Sequence, residues 1–115
     1  MTNYANGYAF ERTVAGDLSD DGYLVIRSGG SHGAADLVAL KTGQVLLVQC
    51  KTSGTISPAD WNELLSTAVR VGAVALLALR PSRGVIEYRQ LVAPTAPRSS
   101  RVWETWTADE VSGVG

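Results

Sequence analysis

Apolar positions along this chain fall into two kinds of run, some spaced as on a helix and others nearly continuous, as in a strand covered on both faces. From Asn6 to Asp20, the residues Tyr8, Phe10, Val14, Ala15 and Leu18 can be set along one helical stripe. Asp20, Asp21 and Gly22 end it, with Gly22 in the favoured place just past a helix. Tyr23–Ser28 (YLVIRS) is rich in β-formers, and residues 29–33 (GGSHG) read as a flexible loop. Asp36–Leu40 and Val45–Lys51 are apolar runs joined by a tight link, which predicts a hairpin of two strands lying under helices. Ser57 suits an N-cap, Pro58 the first helical position, and Asp60 follows three residues after the cap. The helix they start is expected to run to about Val71, to bury Trp61, Leu64, Leu65 and Ala68, and to stop at Gly72. Ala73–Leu79 predicts a further buried strand, and Val85–Leu91 alternates like a half-exposed edge strand. A Pro/Ser/Arg-rich linker covers residues 94–101, and the tail from Trp103 suits one short helix with Trp103 and Trp106 on a common face. The predicted order is α-β-β-β-α-β-β, an α/β fold with a mixed five-stranded sheet flanked by helices.

Composition narrows this picture. A chain of 115 residues, 45% hydrophobic and 18% charged, is a globular single domain. Residues 1–93 are expected to form its body, with 94–115 as linker and tail packed on it. The lone Cys50 suits a reducing compartment, so a cytoplasmic location is expected. No apolar stretch approaches the roughly 20 residues of a membrane span, and the start lacks the basic-then-apolar pattern of a signal peptide. A net charge of −1 and a pI near 5.7 weigh against a nucleic-acid partner when read alone. Acids gathered at a metal site would soften that objection, because a bound cation reverses their effect. Arginines also outnumber lysines, and Arg pairs bidentately with phosphate.

The candidate chemistry lies in the hairpin. Side chains two apart on a strand share a face, so Gln49 and Lys51 point one way and Cys50 the other. If Asp36 lies across the hairpin on the first side, three polar groups meet on an apolar sheet and call for a metal or a substrate. Phosphodiester hydrolysis assisted by Mg²⁺ needs oxygen ligands, an activated water and a cation near the developing charge. Asp36 supplies a carboxylate, Gln49 an amide oxygen, and Lys51 the cation, with Glu11 on the first helix as an additional ligand. The same spacing also fits a cross-strand Asp36–Lys51 ion pair with Gln49 at the surface, and the residues alone leave both readings open. Elsewhere, His32 is a loop residue that could touch DNA, Cys50 reads as a small core residue, and Trp61 as core or dimer contact. Arg80 and Arg83 could extend a DNA track. No second Cys or His completes a zinc site, and GGSHG lacks the ending of a P-loop.

A family resemblance covers residues 5 to 53. Gly7, Glu11, Arg12, Gly22, Tyr23, Arg27, Ser28, Gly30, Ser31, Asp36, Leu37, Val38, Ala39 and Lys51 fall into register with the motifs of the archaeal-type Holliday-junction resolvases. These belong to the PD-(D/E)xK nuclease superfamily. Beyond residue 54 only the order of elements is similar. The resemblance implies a restriction-endonuclease-like fold and a homodimer that resolves four-way DNA junctions with Mg²⁺, for which Mn²⁺ can substitute. It implies Glu11, Asp36 and Gln49 as the metal site, Lys51 as catalytic and Ser31 as assisting there. Arg12, Arg27, Ser28 and His32 would contact DNA. The departure is Gln49, where the family usually has Glu; an amide oxygen binds a hard cation less strongly. Other nucleases of the superfamily resemble this chain in carrying Gln there. Two alternatives stand beside this expectation: a nuclease of the same fold acting on duplex DNA in repair or restriction, and a junction-binding module that no longer cuts.

Overall fold

A computed structural model describes residues 2–28 and 34–108, with side chains from residue 8 onward. Helix α1 (Thr2–Asp20) leads into three strands, β1 (Leu24–Arg27), β2 (Leu37–Lys41) and β3 (Gln44–Cys50). Helix α2 (Pro58–Val71) follows, then β4 (Val74–Ser82), β5 (Val85–Leu91) and β6 (Trp103–Trp106). The strands form one sheet in chain order, and every neighbouring pair is antiparallel except β3 and β4. That parallel pair needs a crossover, which α2 supplies.

The continuous apolar runs are explained by two helices on opposite faces. Phe10, Val14 and Leu18 of α1 lie four apart and pack on Leu37, Ala39, Leu46 and Val48. Trp61, Leu64 and Ala68 of α2 pack on Leu47, Ala75 and Leu77 from the other side. Each of these side chains contributes on the order of 1.5–3 kcal/mol when fully buried, alanines less. The bounds of α2 are set chemically: Ser57 Oγ accepts from the Asp60 amide at 3.1 Å, Pro58 opens the first turn, and Gly72 closes the last at φ 75°. The left-handed backbone at Gly72 costs little without a Cβ.

Several expectations are corrected. The sheet has six strands rather than five, because residues 103–106 pair with β5 instead of forming a helix. Trp and Thr in this run suit a strand, and pairing satisfies the edge that β5 would otherwise leave open. Strand geometry then puts residues three apart on opposite faces. Trp106 packs edge-on against Tyr88 at 5.3 Å on the α1 side, while Trp103 lies under the Arg89 guanidinium at 4.1 Å on the α2 side. Consequently β5 is an interior strand. Finally, α1 begins at Thr2, four residues earlier than the periodicity indicates, and Tyr8 is half-exposed rather than part of the buried stripe.

The segment after β5 is fixed to α2. Asn62 and Thr95 exchange two hydrogen bonds of 2.8 Å, and Trp61 Nε1 donates to the Ala93 carbonyl at 2.9 Å. Among the described residues no helix is long and apolar enough to cross a membrane.

Candidate active site

The hairpin register ends at the residue after Asp36 and the residue before Gln49. Leu37 pairs with Val48, and one step further along both strands lie Asp36 and Gln49. At that step the ladder changes character. The Asp36 amide donates to the Val48 carbonyl at 2.8 Å and its own carbonyl accepts from Ser28 at 2.9 Å. The Cys50 amide, however, donates to the Asp36 carboxylate, Oδ2, at 2.8 Å. A side chain thus replaces a main-chain acceptor, and the charge-assisted bond fixes the carboxylate on the backbone of Cys50, the residue that separates Gln49 from Lys51 in the chain. The Lys51 backbone is held on both sides as well: its amide donates to Ala78 at 2.9 Å, and its carbonyl accepts from Gly54 at 2.8 Å.

Alternation assigns the faces. Leu47 belongs to the α2 side, so Gln49 follows it there. Alternation does not carry through Asp36, because its amide donates to Val48, the partner of Leu37, and Ala35 and Val38 both pack on the α2 side. Cys50 turns to the α1 side and packs with Val48. Glu11 reaches this strand end from α1. It is half-buried and accepts from Arg27 Nη2 at 3.3 Å, while the Arg27 guanidinium also stacks on the Tyr8 ring at 4.3 Å. Burial pushes the Cys50 thiol up, and the Asp36 and Glu11 carboxylates push it further, with Arg27 opposing them. Glu11, Asp36 and Arg27 therefore all bear on the end of β3.

The remaining candidates are less concentrated. Arg12 is exposed, with its guanidinium 6.0 Å from the Tyr8 ring. Ser28 is half-buried and tied through its amide to Asp36. Ser31 and His32 lie outside the described residues. Arg80 stands at the same sheet end: its amide donates to the Thr52 carbonyl at 3.0 Å and its guanidinium lies 5.8 Å from the Phe10 ring. Arg83 is exposed on the β4–β5 turn. The two partners that fix the carboxylates, the Cys50 amide and the Arg27 guanidinium, carry no motif signal for those roles. Only an extrapolated register could have pointed to the first.

Among the described residues no three His, Cys, Asp or Glu side chains are grouped closely enough to hold a metal ion. What the strand ends offer is one anchored carboxylate, Asp36, one amide oxygen, on Gln49, and Glu11 paired to Arg27. This sparse, all-oxygen set suits Mg²⁺, which keeps several waters and takes only one or two protein carboxylates. It does not suit zinc, which asks for nitrogen and sulfur donors.

Comparison with known proteins matches residues 2–101 to the family model described as archaeal Holliday junction resolvase (hjc). The crossover junction endodeoxyribonuclease Hjc of Methanocaldococcus jannaschii is 38% identical over 81 residues, which span 67% of this chain and 60% of that relative's length. Among solved structures, Hjc of Archaeoglobus fulgidus, described as a Holliday junction resolvase from an archaeal hyperthermophile, superposes with a TM-score of 0.68. That match has 23% identity and covers 84% of this chain and 85% of the other, so it shows a shared fold. With 100 consecutive residues, 2–101, matched by the family model, this chain belongs to the archaeal Holliday junction resolvase family.

Proposed function

We propose that this protein is a Mg²⁺-dependent endonuclease that resolves four-way DNA junctions as a homodimer. The observation that carries the reading is the Asp36 carboxylate, held at 2.8 Å by the Cys50 amide between Gln49 and Lys51. Asp36 and Gln49 would hold the metal, with Glu11 as a further ligand once Arg27 is drawn to phosphate. When bound, Mg²⁺ supplies Lewis acidity at the scissile phosphate and makes water a better nucleophile at neutral pH. Hydrolysis joins a water oxygen to phosphorus and breaks one P–O bond. The Lys51 ammonium meets the charge that grows on the phosphoryl oxygens, and its fixed backbone means little reorganisation as that charge develops. Arg12, Arg27 and Arg80 would grip flanking phosphates, which positions the junction by shape rather than base sequence.

Two symmetric cuts call for two copies of the site, and a two-fold dimer provides them. A surface for the second copy is available. On the α2 side, Leu24 pairs with Leu40 and Ile26 with Val38, and Leu24 is 64% and Ile26 49% exposed.

A second reading, binding without cutting, draws support from the neutral Gln49 and from Glu11 being engaged by Arg27. A Mg²⁺ titration of junction cleavage separates the two. The wild type should cut, Asp36→Asn should still bind yet cut about 100-fold more slowly or worse, the scale on which damaged metal sites lose activity, and Gln49→Glu should reach half its maximal rate at lower Mg²⁺. A wild type inert in both Mg²⁺ and Mn²⁺ beside an active Gln49→Glu would favour the binding module.

A further inference from the structure

A cross-strand row that starts at Gln49 runs over the sheet. Gln49 pairs with Leu77, Leu77 with Arg89, and Arg89 with Thr105. Alternation puts the side chains of this row on the α2 face, because Leu77 and Leu91 both belong to that core. Neighbouring strands lie about 4.8 Å apart, so Arg89 stands about 10 Å from Gln49 on the same face.

There Arg89 borders a cavity of about 190 Å³, whose lining includes Ile56, Trp61, Leu77, Arg101 and Trp103. Two flat cations meet two indoles in it. The Arg89 guanidinium lies 4.1 Å from the Trp103 ring centre. Arg101 lies 5.6 Å from the ring of Trp61 and donates to the Ile56 carbonyl at 2.8 Å. Glu87 takes only the Nε of Arg89, at 2.8 Å, and a guanidinium carries five N–H donors. Two arginines against one glutamate leave the cavity net positive. Trp61 is buried and forms the floor, whereas Trp103 is 36% exposed and offers a ring to solvent. The volume is below that of drug-sized sites and suits one planar ring. The rim is also tied to the candidate active site, because the turn from Lys51 to Gly54 leads directly into the Thr55–Ile56 wall.

A ligand matching this lining presents a π-face and an anion within one small unit, which describes a nucleotide. We propose that the cavity is a subsite for one unpaired nucleotide of the DNA substrate, with its base against Trp103 and its phosphate on Arg89 and Arg101. A paired base keeps its faces in the stack, so the subsite takes bases that the branch point has unstacked. The proposal rests on the nuclease reading and extends it to residues far outside the region of motif resemblance.

The test follows the indole N–H signals of Trp61, Trp103 and Trp106 by nitrogen-15 NMR. Metal-free protein is titrated with a single-stranded thymidine hexanucleotide, and with a blunt duplex as comparator. The Trp103 signal should shift saturably with the single strand and not with the duplex, while Trp106, on the opposite face, stays in place. Trp103→Leu should weaken binding of the hexanucleotide about 5- to 150-fold, the range of a lost base–aromatic stack, and Arg89→Gln should weaken it too. A Trp103 signal that does not move, an equal shift of Trp106, or unchanged affinity in both folded variants overturns the subsite. Junction cleavage by the wild type is measured in parallel. A Trp103 shift without cleavage keeps the subsite and removes the nuclease reading; cleavage without the shift does the reverse.

Discussion

At the end of β3 the Asp36 side chain takes over the work that carbonyl oxygens do elsewhere in the sheet, accepting from the Cys50 amide at 2.8 Å. The cost of fixing a carboxylate there is offset by a hydrogen bond that the backbone amide requires in any case. The Cys50 thiol behind it is kept protonated by burial and by the Asp36 and Glu11 charges, and a protonated thiol is a poor nucleophile. Native protein should therefore resist iodoacetamide at pH 8 over a time in which urea-unfolded protein is fully labelled, as read by mass spectrometry; equal labelling rates would contradict the placement of these charges. That Asp36 and Gln49 flank the same end of the β2–β3 ladder is legible from the chain, because a short hairpin leaves few registers. The pairing of Glu11 with Arg27 is not, since a helix-to-strand contact across 16 residues depends on how α1 crosses the sheet. Nor do two tryptophans three apart reveal which period applies to them.

Among the elements, the turn after β3 links Lys51, to which the proposed mechanism gives the catalytic charge, to packing. Gly54 has φ 79°, and a Cβ there would stand 2.9 Å from Leu79 Cδ1. Gly54→Ala should cost about 1–2 kcal/mol, the penalty of a side chain in left-handed backbone, seen as a lower midpoint in urea. Because the Gly54 amide holds the Lys51 carbonyl, cleavage should slow as well; an unchanged midpoint and rate would show that the turn does not position Lys51. Helix α2 is easy to read in the sequence because Ser57, Pro58 and Gly72 mark its ends by chemistry rather than by periodicity. Strand β6 is hard to read because four residues carry almost no period, and its state is decided by the open edge of β5.

For the whole molecule, a net charge of −1 means that the proposed affinity for DNA would have to come from where the arginines sit. Arg12, Arg27 and Arg80 lie around one end of the sheet, and Arg89 and Arg101 line the cavity beside it. In the proposed dimer the exposed Leu24 and Ile26 of the β1–β2 face would meet the second copy. Ile26→Asp should convert a dimer into a monomer by sedimentation and uncouple the two cuts of a junction; a dimer that survives this change must use another surface. Overall topology follows from the chain with one strand missing, because helix caps and covered strands are local signals while edge pairing is not. The most direct measurement is cleavage by the wild type, with Mg²⁺ at fixed salt, of a four-way junction labelled on opposing strands beside a linear duplex of the same sequence. Paired symmetric nicks in the junction with the duplex intact are the expected result. Equal cutting of the duplex, or a junction that is bound and left whole, would contradict a resolvase.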